Sequence, residues 1–375
     1  MADHAASPPR KIDVAIVGGG IAGLWILDRL RRDGVDARLF ERGQLGAGQT
    51  GRSQGIVHRG AKYLLRGGGD GFPDLSVRWQ ACLDGESPLE PDLRSTKILA
   101  PSVWLSSPKA LPTAIETRLA AASGQGLVER ADPDAPSSAR YRLIEPVLDV
   151  PSLLASLAAP HRAHLYLSHD AKPRLDGDAV RLHIHGSAVE AGHLILAAGE
   201  GNEQLLQELG LPGPAMVRRP LHMTWLHPAP NTTGLPPVWQ HVLDPEAATG
   251  RPDTDTGGHF TVTSHPRAPH PDASRTQTDS WSWYVGGDPS EIGVERSEDE
   301  QIRHIRHLLE RHFPAVDFDR VTWSTLYINR CEPAGPRRLE PFVHRQGRVI
   351  TVWPMKLALA PLAADRASAM ISESS

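Results

Sequence analysis

Cysteine is almost missing from this chain: two thiols, Cys82 and Cys331, in 375 residues. That excludes a disulfide framework and a cysteine-built metal centre, and it fits a reducing cytoplasm. Long apolar runs are also missing. No stretch of about 18 hydrophobic residues occurs, so no membrane-spanning helix is expected. The first residues, MADHAASPPRK, lack the apolar core of a signal peptide. Charge of one sign is not concentrated anywhere. Lys and Arg number 40 against 44 Asp and Glu, a net charge of −4, and no basic stripe of the kind that tracks nucleic acid appears. What the chain has in quantity is Gly (34), Pro (33) and His (18). The histidines are scattered without ligand spacing, so no metal is expected. The length accommodates one large or two ordinary domains with a substantial core.

The most informative stretch is Lys11 to Arg42. Ile12 to Val17 is a short apolar run rich in β-branched residues, the pattern of a buried parallel strand. It leads directly into Gly18, Gly20 and Gly23, the G-x-G-x-x-G spacing. Gly18 permits the tight turn, Gly20 lets backbone approach a pyrophosphate, and Gly23 lets the next helix pack against the strand. Residues 21–32 carry an inward apolar stripe and Gly34 stands at the C-terminal cap position. A second strand, residues 35–40, ends at Glu41. An acid about 20 residues past the glycines is where the ribose hydroxyls of an adenine dinucleotide are held. Strand, glycines, helix, cap, strand and acid in this order predict a dinucleotide site.

The following loop, residues 43–60, has four glycines among Gln49, Thr50, Ser53 and Gln54, able to present N–H groups and side-chain donors to a phosphate or ring. A plain nicotinamide-binding domain would continue into another βα unit here; this chain does not. Residues 16–23, Glu41 and the 49–60 loop together resemble the D-amino-acid-oxidase superfamily of flavoproteins. Gln-Thr-Gly-x-x-x-Gly-x-x-His, residues 49–58, is most similar to its glycerol-3-phosphate dehydrogenase and L-2-hydroxyglutarate oxidase branch. The resemblance implies FAD, with Gly18, Gly20, Ile21, Ala22 and Gly23 at the pyrophosphate and Glu41, beside Arg42, on the ribose. It also implies that Gln49, Thr50, Ser53, Gln54 and Gly55 line the path to the flavin, with His58 nearby.

Residues 61–145 are irregular, with helices expected near 75–83 and 108–122. Asp149 to Ser152 reads as a helix start with a side-chain cap. Residues 164–168, 179–186 and 188–198 read as strands, the last ending at Ala198 and Gly199, small residues that in the resembling family pack beside the dinucleotide. From Leu221 on, LHMTWL, VWQHVL, HFTVTS, WSWYVGG and VTWSTLYI alternate as antiparallel strands do. Residues 244–279 read as long loops, and an amphipathic helix is expected over 298–312. Residues 348–353 read as a strand leading into a helix. Lys356 and Leu357 match the family's Gly-Gly-Lys-Leu-Thr-Thr segment. Trp353, Pro354 and Met355 replace its glycines there, and Ala358 and Leu359 its hydroxyls. The expected fold is α/β: a glutathione-reductase-like FAD/NAD(P)-binding Rossmann domain (10–60, 146–215 and 330–372) interleaved with a mainly antiparallel substrate domain (61–145 and 216–329).

The expected activity is FAD-dependent oxidation of a C–H next to a hydroxyl on a small anionic substrate, with hydride passing to flavin N5. A flavin amine or amino-acid oxidase, and a flavin-binding protein without turnover, are the alternatives. His58 is the candidate base, since imidazole titrates near neutrality. Lys356 is placed to stabilise negative charge on the reduced ring. Arg330 is the candidate for gripping a carboxylate or phosphate, its structural alternative being an ion pair with Glu332. Arg59 and Lys62 are weaker anion-binding candidates. In the wider superfamily the flavin can be attached through a histidine or a cysteine, which brings His58 and Cys331 into view. Oxygen, a quinone or a soluble carrier would accept the electrons; no nucleic-acid partner is expected.

Overall fold

The computed structural model describes residues 9–60, 72–111, 113–131, 139–177, 179–184, 187–230, 232, 234–244, 247, 258–266, 281–335 and 340–373. Lys62, His185 and most of the 244–279 stretch lie outside them. Two eight-stranded sheets organise the chain. In the first, Lys11–Val17 lies parallel between Ala37–Glu41 and Ser187–Leu196, and the latter pairs in parallel with Val349–Trp353. Their central positions are buried and apolar, as in parallel strands covered on both faces, while Lys11, Asp13 and Arg38 take exposed or half-exposed ones. Val14 and Ile16 face a layer of helices: Ile21–Arg32, Val150–Ala158 and Ala360–Ser372. Ala15 and Leu196 face the antiparallel strands Lys172–Asp176 and Ala179–Ile184 and the helix Asn202–Glu208.

The second sheet is antiparallel over most of its width. In order across it run Val321–Pro333, Met216–Pro228, Trp281–Gly287, His259–Pro266 and Trp239–Leu243, followed by three short strands, Val103–Ser106, Ala139–Leu143 and Val128–Arg130. Paired residues of antiparallel strands share a face. Phe260, Val262, Trp283, Val285 and Leu226 therefore form one apolar face, covered by Ile305, Leu308 and Leu309 of the helix Glu298–His312. The opposite face carries Met223, Trp225, His227, Thr261, Thr263, His265 and Tyr284. It meets the loop after Glu41: Gln54 Nε2 donates to the Thr261 and Tyr284 carbonyls at 3.2 and 3.1 Å, and the Tyr284 hydroxyl donates to the Arg52 carbonyl at 3.0 Å.

The helix Phe72–Asp84 does not follow the substrate-side placement expected for 61–145. Its Leu75, Trp79, Cys82 and Leu83 join the helical core of the first sheet, with the Trp25 and Trp79 rings 4.8 Å apart. Within the 43–60 loop, Ile56 forms a single bridge to Val147. The long strand Val321–Pro333 runs through residue 330, where the expected boundary fell.

Candidate functional site

The dinucleotide end is built by close approach. Gly18 sits at φ +117°, and a Cβ there would lie 2.5 Å from the Ala197 carbonyl oxygen. A Cβ on Gly23 would lie 1.9 Å from the Gly18 carbonyl oxygen. These contacts require glycine and hold the turn open to a ligand's backbone-facing atoms. Gly20 caps the helix Ile21–Arg32 without a side chain, so Thr50 Oγ1 reaches across to accept the Ile21 N–H at 3.1 Å. Ile21 and Ala22 are buried in the first turn. Glu41 ends its strand with both carboxylate oxygens at this turn: Gly19 N donates to Oε2 at 2.7 Å and Gly43 N to Oε1 at 2.8 Å. Arg42 is exposed. Ser53 Oγ is buried with no partner among the described residues. A glycine cradle at a helix N-terminus, an acid at the second strand end and a spare buried hydroxyl form a donor and acceptor set that fits an adenine dinucleotide.

The other end of the groove is closed by strand ends. Asn202, fully buried, accepts the Ala198 N–H at 2.8 Å and donates to the Val352 carbonyl at 3.1 Å, fixing the spacing between two parallel strands. Gly199 lies at φ +58°; its carbonyl accepts Trp353 Nε1–H at 3.2 Å, and Gln49 lies beside it. Met355 sits at φ +63°, a left-handed conformation that a bulky residue adopts at a cost. Lys356 follows, half-buried, its N–H on the Pro354 carbonyl at 2.7 Å, and Leu357 opens a short helical turn whose Ala358 carbonyl accepts Trp79 Nε1–H at 2.8 Å. Gly55, at φ +71°, allows the loop to pass against the Leu148 carbonyl.

At the junction with the second sheet lies a cluster that sequence spacing does not reveal. Glu145 is fully buried; its Oε2 is 2.8 Å from His58 Nδ1, and its Oε1 accepts the Arg59 N–H at 3.2 Å. The His58 ring stacks at 6.0 Å on His241, whose Nδ1 is 2.7 Å from Thr261 Oγ1. Arg59 also binds the Gln80 side chain at 2.8 Å. Arg330 pairs with Glu291, while Glu332, its expected partner, pairs with Arg219. Burial pushes the Cys331 thiol up to about 11 and the Cys82 thiol up to about 12, so neither is a thiolate near neutrality. Among the other histidines, His312 is held by buried Asp244 at 2.7 Å.

With this geometry in place, comparison with known proteins identifies the class. Residues 13–352 match the family described as FAD dependent oxidoreductase. The chain belongs to that family and binds FAD. It is 39% identical over 379 residues, 96% of this chain and 91% of the relative, to the Probable FAD-dependent oxidoreductase PA4991 of Pseudomonas aeruginosa. The crystal structure of that relative superposes with a TM-score of 0.76 at 35% identity, covering 98% of this chain and 92% of the other. Glycine oxidase from Geobacillus kaustophilus shares the fold, with a TM-score of 0.64 at 17% identity over 97% of this chain and 95% of its own. A local match joins the chain to one component of the anaerobic glycerol-3-phosphate dehydrogenase of Haemophilus influenzae, 43% identical over 53 residues, 14% of this chain and 9% of that protein. Among the described residues no helix is long and apolar enough to cross a membrane.

Proposed function

We propose that this oxidoreductase removes hydride from a C–H bond next to a hydroxyl on a small substrate held between the 49–58 loop and the polar face of the second sheet. Bound FAD would supply the hydride-accepting chemistry at its N5. The observation that carries the reading is the fully buried Glu145 carboxylate against His58 Nδ1. A carboxylate there selects the Nδ1–H tautomer and leaves the ring's lone pair on Nε2, the arrangement a base needs to take a hydroxyl proton. Lys356 would supply positive charge to offset the negative charge that a bound flavin gains on reduction. Arg330 is tied to Glu291, which offsets its charge and weakens its pull on an anionic substrate.

This last contact favours a second reading, oxidation of an amine. A neutral wall that includes half-buried Trp225 and Trp239 suits a cationic or neutral amine better than an anion. Both readings predict that His58→Asn slows reduction of the flavin by substrate about 10²- to 10⁴-fold while the FAD content stays that of the wild type. Stopped-flow mixing without oxygen measures this. Equal rates in the two proteins would remove His58 from the proton-transfer step.

A further inference from the structure

His58, Glu145 and His241 come from three separate segments: the end of the flavin loop, the link between Ala139–Leu143 and Val147–Leu148, and the strand Trp239–Leu243. One donor atom from each lies within 4.8 Å of the other two. Glu145 and His241 are buried, and the His58 side chain is 17% exposed. A hydrogen-bonded Glu–His pair accounts for two of these groups. It does not account for a second imidazole brought to the same point and oriented by a hydroxyl of its own.

We propose that these three residues form a binding site for a divalent cation of the zinc class. Two imidazole nitrogens and one carboxylate oxygen are a borderline donor set that such ions prefer. On a tetrahedral ion with bonds of about 2.0 to 2.2 Å, neighbouring donors stand about 3.4 Å apart. The 2.8 Å between His58 and Glu145 and the 4.8 Å limit of the cluster bracket that spacing. The outer contacts are also those of a metal centre: the Arg59 N–H holds the far oxygen of Glu145, and Thr261 Oγ1 holds His241 Nδ1, which would make Nε2 the ligating nitrogen. Three protein ligands leave a fourth position open.

Occupancy has a chemical consequence. A neutral imidazole that coordinates through Nδ1 carries its hydrogen on Nε2, the opposite tautomer from the one that accepts a proton. Metal and base function are therefore mutually exclusive at His58. The binding claim is independent of the proposed reaction, and only the effect on rate rests on it.

The test uses full-length, FAD-loaded protein, stripped with a chelator, incubated with zinc chloride and gel-filtered. Metal content should be one zinc per chain in the wild type and should fall to background in His241→Gln and Glu145→Gln, with FAD content unchanged. X-ray absorption at the zinc edge of the wild type, which needs no variant, should show two imidazoles and a carboxylate. Loaded wild type should also reduce its flavin with substrate more slowly, and chelator should restore the rate. No retained zinc, equal retention in folded variants, or a first shell without two imidazoles would overturn the site.

Discussion

Gly23 has no room for a methyl group. Its Cβ position lies 1.9 Å from a carbonyl oxygen of the same turn, so Gly23→Ala must push the helix Ile21–Arg32 off the strand. The expected result is a loss of about 1 to 3 kcal/mol of stability together with most of the bound FAD, read by denaturation and by flavin content. Met355 makes the complementary case. Its left-handed backbone is the shape glycine adopts freely and β-branched residues resist. Met355→Gly should change stability by less than about 1 kcal/mol, whereas Met355→Val should cost about 2 kcal/mol more than the glycine variant. Equal stabilities would show that the backbone relaxes there. The glycine turn and Glu41 are legible in the sequence because their spacing is local. The partner of His58 is not: Glu145 is 87 residues away and no spacing rule connects them. For the same reason the near acid Glu332 is the partner that sequence suggests for Arg330, when the actual one is Glu291, 39 residues away.

Elements with their own end signals are legible. The helix Glu298–His312 starts at Ser297 with a full capping box to Glu300, and Asp149 caps Val150–Ala158 by accepting the Ser152 N–H at 3.0 Å. Strands of three to five residues near 98–143 and Lys172–Asp176 carry too little alternation to be seen, and only pairing with neighbours defines them. Within the antiparallel sheet, burial sets the protonation of His265, whose imidazole is held neutral, down to about 4 from its usual 6.5. Because the folded value lies below the unfolded one, the unfolded chain takes up the proton first. Stability fully present above about pH 6.5 should therefore fall as pH drops toward about 4, by at most about 3 kcal/mol. His265→Gln should lack that share of the slope when denaturation midpoints are compared across this range. Identical slopes would show that His265 is not the group responsible.

At the scale of the whole molecule, the two sheets do different work. The parallel sheet and its helices fix the glycine turn, while the antiparallel sheet turns its apolar face to Glu298–His312 and its polar face to the loop after Glu41. Alternation in the later strands makes the second sheet legible; which of its faces meets the loop is not, since that depends on contacts such as Gln54 with Thr261 and Tyr284. The junction gathers His58, Glu145, His241 and the aromatic wall, and the claim that substrate is oxidised there is the centre of the account. It is tested most directly by mixing the oxidised holoprotein, without oxygen, with hydroxy acids, sugar phosphates, amino acids and simple amines, and following the flavin's visible absorption. A donor with a C–H beside a hydroxyl or amine nitrogen should bleach it rapidly, and more slowly in His58→Asn. A flavin that dithionite bleaches but none of these donors does would contradict the claim.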